Sequence, residues 1–343
     1  MEKIIVLGGK GGVGKSSISA ATAVLLSDIL PNKKFLIISF DMAHNLSDLF
    51  KLEIGNKVTK LTSNLWGIEP DADEYAERYT KALIEKMKTL MKQMPLVGRI
   101  PQIEKFIDTT FTADSIPLAL KNAMFFQKIL DAEDINTQDI QFDVIIADFP
   151  PTANMITLFE IPEDQVKVML KYSLNFYNSV KGAIRNISKV WRNIIKPFDN
   201  YEERRELGKE IFNMIVELEK RGERISDLIH KMGSLRLVTI AEKPSFEEIK
   251  RARDLTKRYI GLEGVHINMI VPEPKKCEFC DKIRSIQLNY ISEIKKEFKK
   301  LKIWQSEKLK EEPIGLDGLR NLAYEVYGKN VSAEEILTPK VYK

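Results

Sequence analysis

Cysteine is nearly absent from this sequence: there are two in 343 residues, both inside one C-x-x-C. That excludes a disulfide framework and fits a reducing compartment, so a cytoplasmic location is expected. No uninterrupted apolar run approaches the ~18–20 residues of a transmembrane helix, so the chain is not expected to span a membrane. The N-terminus passes directly into an apolar run and a glycine-rich loop, which leaves no stretch to act as a signal peptide. Neither charge sign dominates. Against 53 Lys and Arg stand 49 Asp and Glu, a net charge of +4 that gives no argument for a nucleic-acid partner. What is present, 44% hydrophobic and 30% charged residues, suits a globular chain of one large domain or two modest ones.

Gly9-Lys10-Gly11-Gly12-Val13-Gly14-Lys15-Ser16 reads G-x-x-x-x-G-K-[ST]. The apolar run Ile4-Ile5-Val6-Leu7 before it suits a buried parallel strand, and Ser17 to Ile29 after it suits a helix. Strand, glycine loop and helix form the setting in which backbone N–H groups close around phosphate oxygens at a helix N-terminus. Gly9 through Ser17 is therefore the candidate nucleotide-binding stretch. Lys15 is expected to reach the β and γ phosphates, and the Ser16 hydroxyl to ligate Mg2+.

Lys10 adds a second lysine at the start of the loop. The string G-K-G-G-V-G-K-S resembles the deviant phosphate-binding loop of the ATPases that include the nitrogenase iron protein and the arsenite-pump ATPases. The resemblance implies that Lys10 reaches the partner's nucleotide across a two-fold dimer, and so contributes to catalysis with Lys15.

The second apolar run, Lys34 to Phe40, ends at Asp41-Met42-Ala43-His44-Asn45-Leu46-Ser47-Asp48. A carboxylate at the end of a parallel strand can orient a water for attack on the γ-phosphate. This stretch resembles D-P-A-H-N-L-S-D of the arsenite-pump and tail-anchored-protein-targeting ATPases, with Met42 in place of proline. The resemblance implies that Asp41 is the catalytic carboxylate and Asn45 a switch residue sensing the γ-phosphate. A strand from Phe142 ends at Asp148, where a carboxylate is expected to hold the magnesium hydration shell. The following Phe149-Pro150-Pro151-Thr152-Ala153-Asn154 is similar to the family's second switch, with Ala153 and Asn154 departing from its glycine and histidine.

Further strands are expected at Leu65 to Asp71, Leu235 to Ala241 and Gly264 to Pro272. By the same resemblance Glu242 touches the partner subunit's nucleotide, Asn268 hydrogen-bonds adenine, and Pro313 with Ile314 enclose the base. Cys277-Glu278-Phe279-Cys280 alone is ambiguous between metal and redox use, since two thiols are half of a tetrahedral zinc set. Its setting, with Arg284, Gln287 and Tyr290, resembles the targeting ATPases, which implies a Zn2+ shared by two subunits.

Residues 73–138 and 163–232 read as helical insertions. Leu83, Met87, Leu90, Met91 and Met94 recur at helical steps. They form either a core-facing stripe or a Met-rich groove for hydrophobic helices. Lys181, Arg185, Lys189, Arg192 and Lys196 mark a basic face, either simply solvated or lying on a membrane or partner helix.

The expectation is a doubly wound, mostly parallel α/β ATPase with a split helical subdomain. Residues 1–72, 139–162 and 233–330 would form the nucleotide-binding domain, the two insertions a client-binding subdomain, and 331–343 a tail. The resemblance implies a homodimer using ATP, Mg2+ and Zn2+. It would bind the hydrophobic helix of tail-anchored clients and deliver it to a membrane receptor. An arsenite-pump-driving ATPase, or an ATP-dependent partner-binding switch or holdase, is the alternative.

Overall fold

The computed structural model describes residues 1–40, 45–70, 140–152, 155, 227–273 and 276–339, with isolated helical positions at 85, 89, 209, 213, 220 and 224. The chain divides into two compact units. One is Met1–Asp71 with Lys128–Phe159 and Ser226–Lys343; the other is Ala72–Gln127 with Glu160–Ile225. The methionine and lysine stripes of the helical insertions lie outside the described residues.

In the first unit the elements run β1 (Lys3–Gly9), α1 (Lys15–Ile29), β2 (Phe35–Ser39), α2 (Asn45–Phe50), β3 (Thr59–Lys60), β4 (Leu65–Ile68) and β5 (Val144–Asp148). They continue as β6 (Gly233–Ile240), α3 (Lys243–Thr256), β7 (Gly261–Ile270), α4 (Glu278–Glu297), β8 (Lys302–Glu307), α5 (Gly315–Tyr327) and α6 (Ala333–Leu337). The strands form one sheet in the order β3-β4-β2-β5-β1-β6-β7-β8. Every pairing is parallel except β3 with β4.

The central strands explain themselves. Ile4 to Leu7, Phe35 to Ile38 and Val144 to Ala147 are buried on both faces, as continuous apolar runs in a covered parallel sheet must be. From β1 the chain crosses to β2 on one side, and from β6 it crosses to β7 on the other. The order thus reverses between β1 and β6, and open α/β sheets bind ligands outside the strand ends at such a reversal. The loop after β1 opens there.

Helix α1 is buried on nearly all sides through Ile18, Ala20, Ala21, Val24 and Leu26, and packs against α5. Its alanines allow close approach, and the buried Ser19 and Thr22 hydroxyls return to the carbonyls of Lys15 and Ile18. The helix begins at Lys15, two residues before the expected start. Strand β4 ends at Ile68, short of the expected Asp71.

The pattern past Asn268 is harder to read, and α4, β8, α5 and α6 are not predicted by it. The short β8 forms an edge on β7, and its Trp304 stacks on His266 with ring centroids 4.4 Å apart. Helix α6 is started by a reciprocal Ser332–Glu335 capping box. It is docked through the carbonyls of Ile336 and Leu337, which accept hydrogen bonds from Arg236 and Lys3.

Candidate functional site

The site is assembled at the carboxyl ends of the strands. Gly14 is the N-cap of α1 and lies in the left-handed region, at φ 86°. A side chain there would be strained, and its Cβ would stand 2.4 Å from Asn268 Nδ2. Gly9 is required by proximity, since a Cβ would meet the Val238 carbonyl oxygen at 2.1 Å. The first turn of α1 carries no acidic residue, and no side chain caps its N-terminus. The loop thus presents backbone amides and the positive helix end to an anion, with the room that phosphates need.

Lys15 is buried, and its ammonium donates to the Lys10 carbonyl at 3.2 Å, folding back over its own loop. The Lys10 side chain is exposed. Asp148 is fully buried at the end of β5, in register with Leu7 of β1 and Ser39 of β2. The Ser19 hydroxyl is 3.2 Å from its Oδ1 and 2.9 Å from the Lys15 carbonyl. The loop architecture fits an anionic phosphate, and Asp148 brings a buried carboxylate to the same strand ends. Beyond Asp148, Pro151 borders the loop at Gly11, and the buried Met155 borders β1 at Gly8.

The family is decided by sequence comparison over this whole framework. The profile of the anion-transporting ATPases matches residues 2–328. The chain belongs to that family. It is accordingly an ATP hydrolase of the α/β phosphate-loop type. Among its relatives, an arsenical pump-driving ATPase 2 so named in Aquifex aeolicus (strain VF5) is 26% identical over 327 residues, covering 94% of this chain and 98% of the relative. The ATPase GET3 of Clavispora lusitaniae (strain ATCC 42720) is 27% identical over 305 residues, covering 85% and 80%. An ATPase ASNA1 homolog of Entamoeba dispar (strain ATCC PRA-260 / SAW760) is 24% identical over 314 residues, covering 85% and 84%.

In this ATPase Asn268 sits at the end of β7 against the phosphate loop. Its amide donates to the Val13 carbonyl at 3.0 Å, and its oxygen accepts from the Ser306 hydroxyl at 2.8 Å. Pro313 and Ile314 lie in the loop that leaves β8 at the same edge and end at the N-cap of α5. Glu242 is exposed at the N-cap of α3 and makes no side-chain capping bond.

Cys277 and Cys280 lie at the start of α4. Cys277 is the N-cap, and its sulfur accepts from the Cys280 N–H at 3.3 Å. Hydrogen bonding from Cys280 lowers the Cys277 pKa, and the same pairing raises that of Cys280. Among the described residues no group of three or more His, Cys, Asp or Glu is arranged to hold a metal. One copy of the chain therefore offers two thiols, half of a tetrahedral zinc set.

Asp41, Met42, Ala43 and His44 lie outside the described residues, as do Ala153, Asn154 and the side chain of Asn45. The residues that follow Asn45 are nevertheless described. Glu69, buried just past β4, accepts from the Leu46 N–H at 2.7 Å, the Ser47 N–H at 3.3 Å and the Ser47 hydroxyl at 2.7 Å. Sequence reasoning leaves the Glu69-Pro70-Asp71 ending open between an ordinary strand end and a direct role, without finding these partners, and it passes over Ser19. The signal for Ser19 is its place one helical turn after Lys15. For Glu69 there is no local signal, because its partners lie 22 and 23 residues away.

Proposed function

We propose that this ATPase works as a homodimer that binds the hydrophobic helix of tail-anchored membrane proteins and delivers it to a membrane receptor. In this reading Lys15 and Lys10 neutralise phosphate charge, with Lys10 reaching the partner subunit's nucleotide. Ser16 and Asp148 hold Mg2+, which supplies charge stabilisation for phosphoryl transfer when bound. Asp41 orients the attacking water and Asn45 senses the γ-phosphate. Asn268, Pro313 and Ile314 hold the adenine, and Glu242 contacts the nucleotide of the other subunit.

The observation that carries the reading is the exposed face of α4. Phe279 is 72% exposed and Ile286 48%. With Ile283 and Tyr290 they recur at steps of three and four, forming an apolar stripe that begins at the two thiols. A second copy related by a two-fold axis would cover that stripe and complete a zinc set of four cysteine thiolates. The relatives named GET3 and ASNA1 support the reading, since their similarity covers 85% of this chain and so reaches into the helical insertions. Among the described residues no helix is long and apolar enough to cross a membrane, so membrane delivery calls for a separate receptor.

The test is co-expression with a protein whose single apolar segment is a C-terminal helix, comparing wild type with Asp41→Asn in ATP. The reading expects a complex that contains dimeric protein, depends on that helix, and is retained by the variant. ATPase activity with no complex in any nucleotide state would sink it. A second reading, a pump-driving ATPase, is favoured by the relative from Aquifex aeolicus. It predicts instead that arsenite stimulates hydrolysis.

A further inference from the structure

Asn268 and Met269 are consecutive on β7, yet they serve different elements. The Asn268 amide reaches the phosphate loop at Val13, and its Nδ2 stands against Gly14. The Met269 carbonyl reaches α4. Between these two connections the backbone turns through the left-handed region, with Met269 at φ 57°. A long L side chain adopts that conformation only when its surroundings impose it. The pairing of β7 with β8 shifts register across the same point, between Ile267 and Ile270.

The side chain that meets this turn is Gln287, a buried residue of α4. Its Nε2 donates to the Met269 carbonyl at 3.3 Å, and its Oε1 accepts from the Val271 N–H at 2.8 Å. Both functions of one amide are thus engaged by a single backbone turn. Arg284, on the preceding turn of α4, donates to the Val271 carbonyl and lies 3.4 Å from Glu307. The Met269 side chain completes the contact, its Cε 3.3 Å from where a Cβ on Gly14 would be.

We propose that Gln287 is a positioning residue for the nucleotide. By clamping Met269 in its left-handed turn, it keeps Asn268 against Val13 and Gly14 and so sets the affinity of the phosphate loop for ATP. The physical argument is one of leverage. Relaxing Met269 to an ordinary β conformation rotates the peptide that follows Asn268, and the Asn268 side chain then leaves the loop. An apolar side chain at position 287 would fill the same space and leave that rotation unopposed. The helix capped by Cys277 is thereby joined to the residue that holds the loop.

The experiment is calorimetric titration of the full-length protein with a non-hydrolysable ATP analogue and Mg2+, with ATPase kinetics alongside. Lys15→Ala, which must abolish binding, verifies the nucleotide site independently of the clamp. Gln287→Leu is expected to weaken binding by about tenfold, equivalent to about 1.4 kcal/mol, within the range that such backbone strain stores. KM for ATP should rise while kcat stays within about twofold of wild type, as for a loss of uniform binding. In a Met269→Gly background the same Leu substitution should cost less than about twofold, because glycine holds a positive φ without a clamp. Wild-type affinity in Gln287→Leu, or an equal loss in both backgrounds, would overturn the proposal. Should the Leu variant fail to fold, Gln287→Glu is read in the same way. It keeps the acceptor for Val271 but cannot donate to Met269.

Discussion

The Ser19 hydroxyl lies 3.2 Å from Oδ1 of Asp148, joining the helix of the phosphate loop to the carboxylate at the end of β5. The same hydroxyl is 2.9 Å from the Lys15 carbonyl, so the contact ties the loop's own first turn to Asp148. Ser19→Ala removes a hydroxyl whose single hydrogen is shared between the Lys15 carbonyl and the buried carboxylate, a loss of about 0.5–1.5 kcal/mol. We expect kcat to fall by about tenfold and the Mg2+ concentration for half-maximal activity to rise. A magnesium titration of the ATPase rate checks both.

Gly14→Ala should be more damaging than Gly12→Ala. Both glycines have positive φ, 86° and 78°, but only at Gly14 would the new Cβ meet Asn268. Nucleotide binding is expected to weaken by more than about tenfold at Gly14 and by less at Gly12, where strain acts alone. Parallel titrations with an ATP analogue separate the two.

Glu69→Ala leaves the N–H groups of Leu46 and Ser47 without their carboxylate. Because Glu69 is buried, the expected cost is about 2–3 kcal/mol of stability, as for a buried charged hydrogen-bond acceptor. Amide exchange at the start of α2 should rise ahead of exchange in the central strands. Faster exchange throughout the sheet, with no local excess, would assign Glu69 a merely global role.

Acid should weaken the fold through His266. Its ring is stacked on Trp304, edge-on to Tyr327 and close to Arg236, and neither ring nitrogen has a hydrogen-bond partner among the described residues. Burial first, and then the Arg236 charge, hold its pKa well below the ordinary 6.5. The unfolded chain therefore takes up a proton near pH 6.5 that the folded chain refuses. Stability present above that pH is lost as pH falls from 6.5 toward the folded-state value, by at most about 1.4 kcal/mol per pH unit from this one group. The wider cluster is charged by Lys3 and Arg236, which each pair with Glu263 and donate to carbonyls of α6. Thermal unfolding between pH 7 and 5 should show the loss, and His266→Phe should flatten it over that interval.

Cys277→Ser with Cys280→Ser tests the proposed shared metal. Metal analysis of the purified wild type is expected to give one zinc per two chains, and the double variant none, with a shift toward monomer in sedimentation. Zinc-free dimers of the wild type would remove the metal from the proposal while leaving the apolar stripe of α4 as its interface.

The sequence by itself determined the elements that depend on neighbouring residues. The glycines and lysines from Gly9 to Lys15 and the aspartate closing the apolar run Val144 to Ala147 each announce a local element within a few positions, whereas the paired cysteines by themselves leave metal and redox use open. The parallel sheet follows from strands too apolar to face water on either side. The tertiary structure alone decided which distant segments complete them. Glu69 is informative only once α2 lies over the end of β4, and Gln287 only once α4 meets the turn after Asn268. Arg236, on the apolar β6, becomes tolerable because Glu263 and the end of α6 accept from its Nε and one Nη, and Trp304 covers it. Edge strand β8 and α6 are short, with patterns too brief to stand out, and they are held by contacts rather than by propensity. Local conformational preference is written into adjacent residues. The partner of a buried polar group is chosen by strand order and register, which no short window of sequence contains.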